Sequence, residues 1–469
     1  MNKLVFSLLL ITYLSYSQTP CNNGLSGGFP CENYELVSSF DLNILNANSG
    51  NDSWGWTDPL DGKEYAIMGL NNGTAFIDIS SSTAPVYLGK LPTHTENSIW
   101  RDIKVYDNFA FIVSEASGHG MQVFDLTRLR NVANPPEIFT EDAHYDGFGN
   151  AHNIVINPSQ PFAYCVGTQT FSGGPHIVDI SNPLTPVFAG GYSDSFYTHD
   201  AQVITYNGPD VDNQGKEIYI GSNEDEVVIL DVTNKSNITL ISAIGYSNIG
   251  YTHQAWLTED ETYLILGDEL DEIQFGFNTR SIIFDLTDLD NPSVHMDYAG
   301  NTSAIDHNGY VKNGIYYQAS YTSGLRILDV SDIANQNIVE IGFFDTFPQD
   351  NGASFDGAWN VYPFFDSGNL VVSDINTGFY LLKNSNLSTS NFETLDTFKL
   401  YPNPSNGNVT IISEDFVLND IKVYDQLGQM VFRQSNINDF NFSFDMSQYL
   451  KGLYFVNLNN STTQKLFIE

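Results

Sequence analysis

Four histidine-led dipeptides recur through the middle of the chain, each at the start of an apolar run that predicts a β-strand. They are His152-Asn153, His199-Asp200, His253-Gln254 and His307-Asn308. Imidazole is the commonest protein ligand of transition metals, and several imidazoles around an open position suit iron, copper or zinc. If the four positions are equivalent, these side chains could form a metal site, for which three protein ligands and a water fit better than four ligands. The alternative is that each imidazole hydrogen-bonds backbone groups of its neighbour and that no ion binds.

Other strand-like runs carry different side chains at or beside the corresponding place. Arg101 and Asp102 form one such pair, Trp54 and Trp359 lie in two further runs, and Asp200 follows the second histidine. We expect these residues to line the same channel as the histidines. The side near Trp54, Arg101 and Trp359 would then be open to a ligand.

Two acidic stretches could hold calcium instead. Residues 210–215 begin like a calcium-binding loop, but Gln214 replaces the third acid and Gly221 stands where a bidentate glutamate is expected. Residues 268–272 form a second acidic run between predicted strands, and such runs are usually solvated surface. The candidate calcium ligands are Asp210, Asp212, Asp268 and Asp271.

Other catalytic patterns are missing from the sequence. No serine, histidine and aspartate are arranged around a nucleophile elbow, no glycine-rich loop is of the phosphate-binding kind, and no Cys-x-x-Cys pair is present. Cys165 lies within an apolar run, with nothing nearby that would activate its thiol. We therefore expect Cys165 to be a buried free cysteine.

The elements that must position these side chains are repeated. A short pattern of apolar residues, Asp, an apolar residue and Ser or Thr occurs at Asp78, Asp125, Asp179, Asp231, Asp285 and Asp329, and a seventh copy at 380–383 lacks the Asp. Two strand-like runs precede each copy, and a turn and a fourth run follow most copies. Four short strands per unit at this period are typical of β-propeller blades. The sequence thus predicts an all-β protein with a seven-bladed propeller over residues 35–383, in which each Asp caps a turn.

The repeats resemble those of the LVIVD-repeat proteins called the choice-of-anchor B family, from about residue 21 to residue 383. The matching stretches are residues 29–31, 100–105, 221–225, 250–254 and 268–272. The resemblance implies an exported ectodomain that is combined with different C-terminal surface anchors. It implies no particular activity.

The C-terminal part of the chain has a different pattern. After a linker at 384–397, residues 398–469 alternate as strands do between Pro and Gly turns, which predicts a small Ig-like β-sandwich. This module resembles the type A C-terminal sorting domain of the type IX secretion system of Bacteroidetes, and an ordinary Ig-like adhesion domain is the alternative. The residues that carry the resemblance are Pro402, Asn403, Pro404, Gly407, Gly428, Gly452, Tyr454 and Lys465. It implies export by the type IX machinery, followed by removal of the module or its exchange for an anchor.

The N-terminal part also predicts export. Lys3, an apolar stretch at 4–14 and small residues at 15–17 have the order of a signal peptide at residues 1–17. In the segment 18–34 that follows, Cys21 and Cys31 bracket a short Gly-rich loop and would form a disulfide in an oxidising compartment. No stretch is long and apolar enough to be a transmembrane helix.

The charge of the chain restricts its partners. Eighteen Lys and Arg face 56 Asp and Glu, a formal net charge of −38, which repels nucleic acid and anionic membranes. We expect a secreted monomer on the outer cell surface that acts as a binding or scaffold module for a protein or glycan ligand. The alternative is a secreted metalloenzyme, of oxidase or oxygenase type, that uses the histidines. No cofactor is established by the sequence, and the two that it could accommodate are a transition metal and calcium.

Overall fold

The computed structural model describes residues 18–385, 399–413, 417–425, 429–458 and 462–468. The predicted signal peptide, most of the predicted linker and Gly428 lie outside these residues. The chain divides into two compact units, Met1–Leu387 and Ser388–Glu469. With 52% strand and 4% helix, the protein is all-β, as the sequence predicts. No helix among the described residues is long and apolar enough to cross a membrane.

The amino-terminal unit contains seven sheets, each with a core of four antiparallel strands. Three strands precede the first sheet: β1 (Leu25–Ser26), β2 (Phe29–Glu32) and β3 (Tyr34–Asp41). The first sheet contains β4 (Gly50–Thr57), β5 (Glu64–Leu70), β6 (Gly73–Asp78) and β7 (Val86–Pro92). The second contains β8 (Arg101–Tyr106), β9 (Phe109–Ser114), β10 (Met121–Asp125) and, after an excursion of the chain, β12 (Ala143–Tyr145). In that excursion, β11 (Glu137–Ile138) pairs with β7 and extends the first sheet.

The next three sheets follow the same plan without additions. The third contains β13 (Asn153–Ile156), β14 (Phe162–Val166), β15 (His176–Asp179) and β16 (Val187–Gly191). The fourth contains β17 (Asp200–Thr205), β18 (Glu217–Ser222), β19 (Val227–Asp231) and β20 (Thr239–Ile244). The fifth contains β21 (Thr252–Leu257), β22 (Tyr263–Asp268), β23 (Arg280–Asp285) and β24 (Ser293–Ala299), with the short helix α1 (Asp271–Phe275) after β22. Short 3₁₀ helices lie at Leu126–Asn131, Phe171–Gly173 and Ile333–Asn335.

The last two sheets recruit the strands from the beginning of the chain. The sixth contains β25 (Gly309–Lys312), β26 (Ile315–Ala319), β27 (Leu325–Asp332) and β28 (Asn337–Phe344), and β2 and β1 extend it. The seventh contains β29 (Ala358–Tyr362), β30 (Asn369–Asp374) and β31 (Gly378–Asn384), with β3 as its fourth strand. The segment that contains the two N-terminal cysteines is thus part of a sheet.

The first strands of the seven sheets lie side by side. Each contacts the first strand of the next sheet in chain order, and β29 of the seventh sheet contacts β4 of the first. The strands behind them are almost entirely apolar and buried, and they pack between neighbouring sheets. Each Asp of the repeat accepts the backbone N–H two residues later, from Asp78 and Ser80 to Asp329 and Ser331, which confirms the predicted turn-capping role.

The carboxy-terminal unit contains two antiparallel sheets around one apolar core. One sheet pairs β32 (Lys399–Tyr401), β33 (Asn408–Ile412) and β36 (Asn441–Asp445), and the other pairs β34 (Leu418–Tyr424), β35 (Met430–Asp439), β37 (Gly452–Leu458) and β38 (Thr462–Ile468). The inward positions alternate with exposed ones along β33 and β34, as expected for strands with one buried face.

Candidate functional site

The four histidines form a continuous row of rings at the start of adjacent first strands. The ring centroids of His152 and His199 are 4.0 Å apart, and those of His199 and His253 are 4.3 Å apart. The His253 and His307 centroids are 4.3 Å apart, and the Trp359 ring lies 4.6 Å beyond His307. The structure therefore places the four predicted side chains together, with Trp359 at one end of the row.

In several sheets, the side chain one residue after the position that corresponds to the histidines connects that sheet to a neighbouring one. Asp52 accepts the Ile103 N–H at 3.0 Å, and Asp102 accepts the Ile154 N–H at 2.7 Å. Gln254 and Gly309 make the same kind of link between the fifth and sixth sheets. By this register, Asn51, Arg101 and Trp359 occupy the places that histidine holds in the other four sheets. Asp102 therefore links two sheets, and it also lines a small cavity with Arg101, Trp359 and the four histidines.

Trp54 lies apart from the histidines. It lines a second cavity, of about 350 Å³, together with Trp256, Tyr362 and Phe364. The pairing of β4 with β5 shifts between Gly50 and Ser53. The residue that corresponds to the histidines, directly before the linking Asp52, is therefore Asn51 and not Trp54. An irregularity of this kind changes which side chain faces a given surface, and it is not visible in the sequence pattern.

Arg101 is fully buried and its guanidinium group is used internally. It donates to the Leu70 carbonyl at 3.1 Å and to the Thr93 hydroxyl at 2.7 Å, and it pairs with a ring nitrogen of His119 at 2.9 Å. Burial lowers the pKa of Arg101 to about 9. Arg101 and Trp359 both line a small cavity with the four histidines, but the hydrogen bonds of the Arg101 guanidinium group are made to protein groups.

The Nδ1 atoms of the histidines are held by protein groups. His199 Nδ1 donates to the His253 carbonyl at 3.3 Å, and His307 Nδ1 donates to the Trp359 carbonyl at 2.6 Å. His152 Nδ1 lies 2.6 Å from a carboxylate oxygen of Glu115. The alternative interpretation, in which each imidazole bonds its neighbour's backbone, therefore describes Nδ1 of His199 and His307. These hydrogen bonds do not involve the Nε2 atoms of His199 and His307.

His253 differs from its neighbours. It is 1% exposed, and its Nε2 atom has no hydrogen-bond partner among the described residues. A buried polar group without a partner costs stability, and such groups concentrate where a structure binds something. His253 is the central member of the cluster by its contacts with His199 and His307.

Glu269 is the site residue that sequence reasoning missed. Its Oε1 atom lies 3.8 Å from His253 Nε2 and 3.7 Å from His307 Nε2, and it accepts the Tyr321 hydroxyl at 2.7 Å. Ligand atoms of His199, His253 and Glu269 all lie within 4.8 Å of one another. The pairing of β21 with β22 in the fifth sheet could have indicated Glu269. Thr252 pairs with Asp268, which brings the next residue, Glu269, beside His253.

Burial keeps three of the imidazoles neutral. It lowers the pKa of His253 to about 3, with the charge of His152 adding to the effect and the His307 carbonyl opposing it. It also lowers the pKa of His307 to about 3, with His253 adding to the effect, and it holds the pKa of His199 well below its usual range. At neutral pH these rings retain a free nitrogen lone pair.

A cavity of about 390 Å³ opens above the row of histidines. Its lining residues are Ser49, Ile99, Trp100, His152, His199, His253, Glu269, His307, Tyr321, Phe355, Trp359 and Ile375. The imidazoles and Glu269 form the polar floor, whereas Trp100 and Phe355 at the rim are 41% and 47% exposed. We call these two side chains the aromatic rim.

The acidic residues predicted to bind calcium have protein partners. Asp268 accepts the Tyr246 hydroxyl and the N–H groups of Gly250 and Tyr251 at 2.7–2.8 Å. Asp271 forms an ion pair of 2.6 Å with Arg280. Asp210, with Asp212 two residues later, lies in the loop between β17 and β18 and accepts the N–H groups of Asp212 and Leu289. Asp200 is buried beneath the histidine row, and burial raises its pKa to about 7, with the charge of Asp102 adding to the effect.

The cysteines have two different environments. Cys21 and Cys31 are joined by a disulfide, and Cys165 is a buried free cysteine. Burial raises the pKa of the Cys165 thiol well above its usual range, so that it is a poor nucleophile.

The described residues of the predicted sorting motif make several contacts within the carboxy-terminal unit. The Asn403 side chain, between Pro402 and Pro404, donates to the Lys465 carbonyl at 2.7 Å and accepts the Phe467 N–H at 2.9 Å. It thus ties the start of this unit to its last strand. Gly407 has φ +139°, and a Cβ atom there would lie 2.8 Å from the Ser447 side chain. Gly452 begins β37, and the Tyr454 hydroxyl donates to the Leu450 carbonyl.

Comparison with known proteins identifies parts of the chain. Residues 399–469 match the secretion system C-terminal sorting domain, and residues 149–194 and 209–244 match the LVIVD repeat. No curated protein matches the chain. Among solved structures it is similar to a functionally unknown protein from Desulfotomaculum acetoxidans DSM 771, with 13% identity and a TM-score of 0.43 over 60% of this chain and 83% of that one. It is also similar to a protein from Lactobacillus plantarum, with 11% identity and a TM-score of 0.45 over 85% of this chain and 99% of that one.

These matches confirm two predictions from the sequence. The central part contains LVIVD repeats, and the C-terminal module is a sorting domain. The chain is therefore a β-rich repeat protein that the type IX system secretes and attaches to the cell surface.

Proposed function

We propose that the seven sheets form a closed seven-bladed β-propeller over residues 35–383. The observation that supports closure is that the first strands contact one another in order and the seventh contacts the first. The proposal includes a signal peptide at 1–17, a cysteine-containing segment at 18–34, a linker at 384–397 and an Ig-like sorting sandwich at 398–469. It also includes a Bacteroidetes source and the choice-of-anchor B arrangement of an ectodomain with a C-terminal anchoring signal.

On the cell surface, the propeller acts as a monomeric binding module that takes a saccharide into the histidine cavity. The observation that carries this proposal is the combination of an exposed aromatic rim with a polar floor in one cavity of about 390 Å³. Cavities of roughly 300–1,000 Å³ are the usual size for small-molecule ligands. Such cavities are typically lined by aromatic side chains and a few polar groups, and both are present here.

The chemistry of the lining favours a neutral polyhydroxylated ligand. The aromatic faces can pack on the C–H groups of a sugar ring, while imidazole nitrogens and Glu269 offer hydrogen-bond partners to its hydroxyl groups. No Lys or Arg is present among the described residues that line this cavity, and the nearby Arg101 guanidinium group donates to protein groups, which disfavours an anionic ligand. A flat protein partner would leave the concave floor uncovered.

Binding can be tested with the full-length protein and its rim variants. We expect a glycan array to identify a saccharide ligand and Trp100→Ala or Phe355→Ala to weaken its binding at least about 10-fold in titrations, since each variant loses an aromatic contact. Phe188→Ala is the matched control, because Phe188 is 56% exposed on β16 and does not line the cavity. Absence of saccharide binding, or equal binding by rim and control variants, would contradict the proposal.

A secreted metalloenzyme of oxidase or oxygenase type is the second candidate function. One observation favours it, namely that two histidines and a carboxylate converge below the cavity. The candidate requires turnover of a substrate by the full-length protein, in addition to binding. If incubation with the metal-loaded protein changes neither the saccharides nor the oxygen concentration, the enzyme candidate is rejected and the binding module is retained.

A further inference from the structure

We infer that His199, His253 and Glu269 form a mononuclear binding site for a divalent first-row transition metal. The inference goes beyond the proposed saccharide binding and does not depend on it, because it concerns the floor of the cavity and not the aromatic rim. Four independent features of the described residues support it.

The first feature is the separation of the ligand atoms. One nitrogen from each histidine and one oxygen of Glu269 lie within 4.8 Å of one another, and His253 Nε2 is 3.8 Å from Glu269 Oε1. Ligand atoms that each lie about 2.1 Å from a tetrahedral ion are about 3.4 Å apart. Small side-chain rotations would therefore bring these three atoms to bonding distance.

The second feature is the way in which His199 is held. Its Nδ1 atom donates to the His253 carbonyl, which leaves Nε2 as the unprotonated nitrogen. A metal-binding histidine almost always donates its other ring nitrogen to a carbonyl or a carboxylate. The same arrangement holds for His307 and the Trp359 carbonyl.

The third feature is His253 itself. It is buried, it lines the cavity, and its Nε2 atom is without a hydrogen-bond partner among the described residues. Protein cores rarely leave a buried imidazole in this state. A metal ion bound at Nε2 satisfies this nitrogen.

The fourth feature is the position of the carboxylate. Tyr321 is buried and donates its hydroxyl proton to Glu269 Oε1 at 2.7 Å, which holds the carboxylate beside the imidazoles. The residues that line the large cavity include no Lys or Arg, and the nearby Arg101 guanidinium group donates to protein groups. A divalent ion would balance the charge of Glu269, and the mixed nitrogen and oxygen set suits iron, cobalt, nickel or zinc better than calcium.

The two remaining histidines have different roles in this arrangement. His152 is engaged by Glu115, whereas His307 Nε2 lies 3.7 Å from the Glu269 oxygen. His307 therefore flanks the ion on the side of Trp359. Three protein ligands leave at least one coordination position directed into the cavity.

The inference can be tested by metal titration of the full-length protein after removal of bound metal. We expect one equivalent of Co²⁺ to bind, with visible absorption bands of a four- or five-coordinate site, and Zn²⁺ to displace it. His253→Gln and Glu269→Gln should each weaken Co²⁺ binding at least about 100-fold, and Tyr321→Phe should weaken it about 10-fold to 100-fold, because Tyr321 only orients a ligand.

His94→Gln is the matched control, since His94 lies in a separate group with His144 and does not line the cavity. It should bind Co²⁺ as the unmodified protein does. Binding of less than about a tenth of an equivalent, or equal affinity in the control and the two ligand variants, would overturn the inference. Circular dichroism identifies any variant that fails to fold, and Tyr321→Phe then serves as the deciding variant. Saccharide binding and Co²⁺ binding are measured in separate titrations of the same protein, so a failure of one and a failure of the other are distinguishable.

Discussion

Lys104→Met should destabilise the amino-terminal unit more than any substitution of an exposed lysine. The Lys104 ammonium group is buried, lies 2.7 Å from Asp102 Oδ1 and 3.6 Å from Asp52 Oδ2, and sits 4.6 Å over the Trp54 ring. Removing it leaves the buried Asp102 carboxylate and its neighbour Asp52 without a cation. Breaking a buried pair in this way typically costs about 3–5 kcal/mol of the free energy of unfolding.

The size of this loss should depend on pH. Burial raises the pKa of Asp52 well above its usual range, with the charge of Asp102 adding to the effect and Lys104 opposing it. Burial alone would raise the pKa of Asp102 as well, but Lys104 holds it below its usual range; without Lys104 this pKa rises, so the folded variant retains a proton that the unfolded chain releases. A carboxyl group whose folded pKa is raised loses stability as pH increases. The gap between the variant and the unmodified protein should therefore be larger at pH 8 than at pH 5.

Urea unfolding at both pH values measures this effect. All five tryptophans, at positions 54, 56, 100, 256 and 359, belong to the amino-terminal unit, so their fluorescence reports on that unit alone. Lys63→Met is the control, because the Lys63 side chain is 46% exposed and its Nζ atom lies 3.4 Å from Asp61 Oδ2. An exposed ion pair of this kind contributes about 0–1 kcal/mol to the free energy of unfolding. A loss below about 1 kcal/mol for Lys104→Met, or an equal loss at both pH values, would refute the reasoning.

Three further predictions concern other parts of the chain. Burial lowers the pKa of His176 to about 4, so as the pH falls below about 6.5 the unfolded state binds a proton that the folded state does not. Between pH 7.5 and 5, the free energy of unfolding measured in urea should therefore fall by up to about 2 kcal/mol more for the unmodified protein than for His176→Gln. Thiol titration of the denatured, unreduced protein should find one free thiol, that of Cys165, whereas three would exclude the disulfide between Cys21 and Cys31. Deleting residues 396–469 should leave the amino-terminal unit folded but retained in the periplasm, and surface labelling of the truncated chain would contradict the sorting role.

The repeated architecture was predictable because its signals are local. Each third strand ends in an Asp that caps the following turn, and the same contact recurs from Asp78 to Asp329. The use of β3 as the fourth strand of the seventh sheet was not predicted. It pairs Tyr34 with Asn384, and no local pattern in either segment specifies so distant a partner.

The site was predicted in part. The four histidines were found because they share a place in the repeat, and the structure brings their rings together. Glu269 was missed because an acidic run looks like solvated surface unless the hairpin register is known. Trp54 was assigned to the histidine cluster because the shift in β4 is not encoded in residue type, and Asn51 takes its place.

The pairing of β3 with β31 also determines when this protein can finish folding. Tyr34 emerges from the ribosome early, but its partner Asn384 follows after nearly all of the remaining amino-terminal unit has been made. Contacts between residues so far apart form late and slowly, and until then β3 and β31 each expose an unpaired strand edge. The sorting domain begins only at residue 399, beyond the last strand of the seventh sheet. A newly made chain that displays a complete export signal therefore already contains every strand required to close its seventh sheet, so incomplete synthesis products are not offered for transport to the surface.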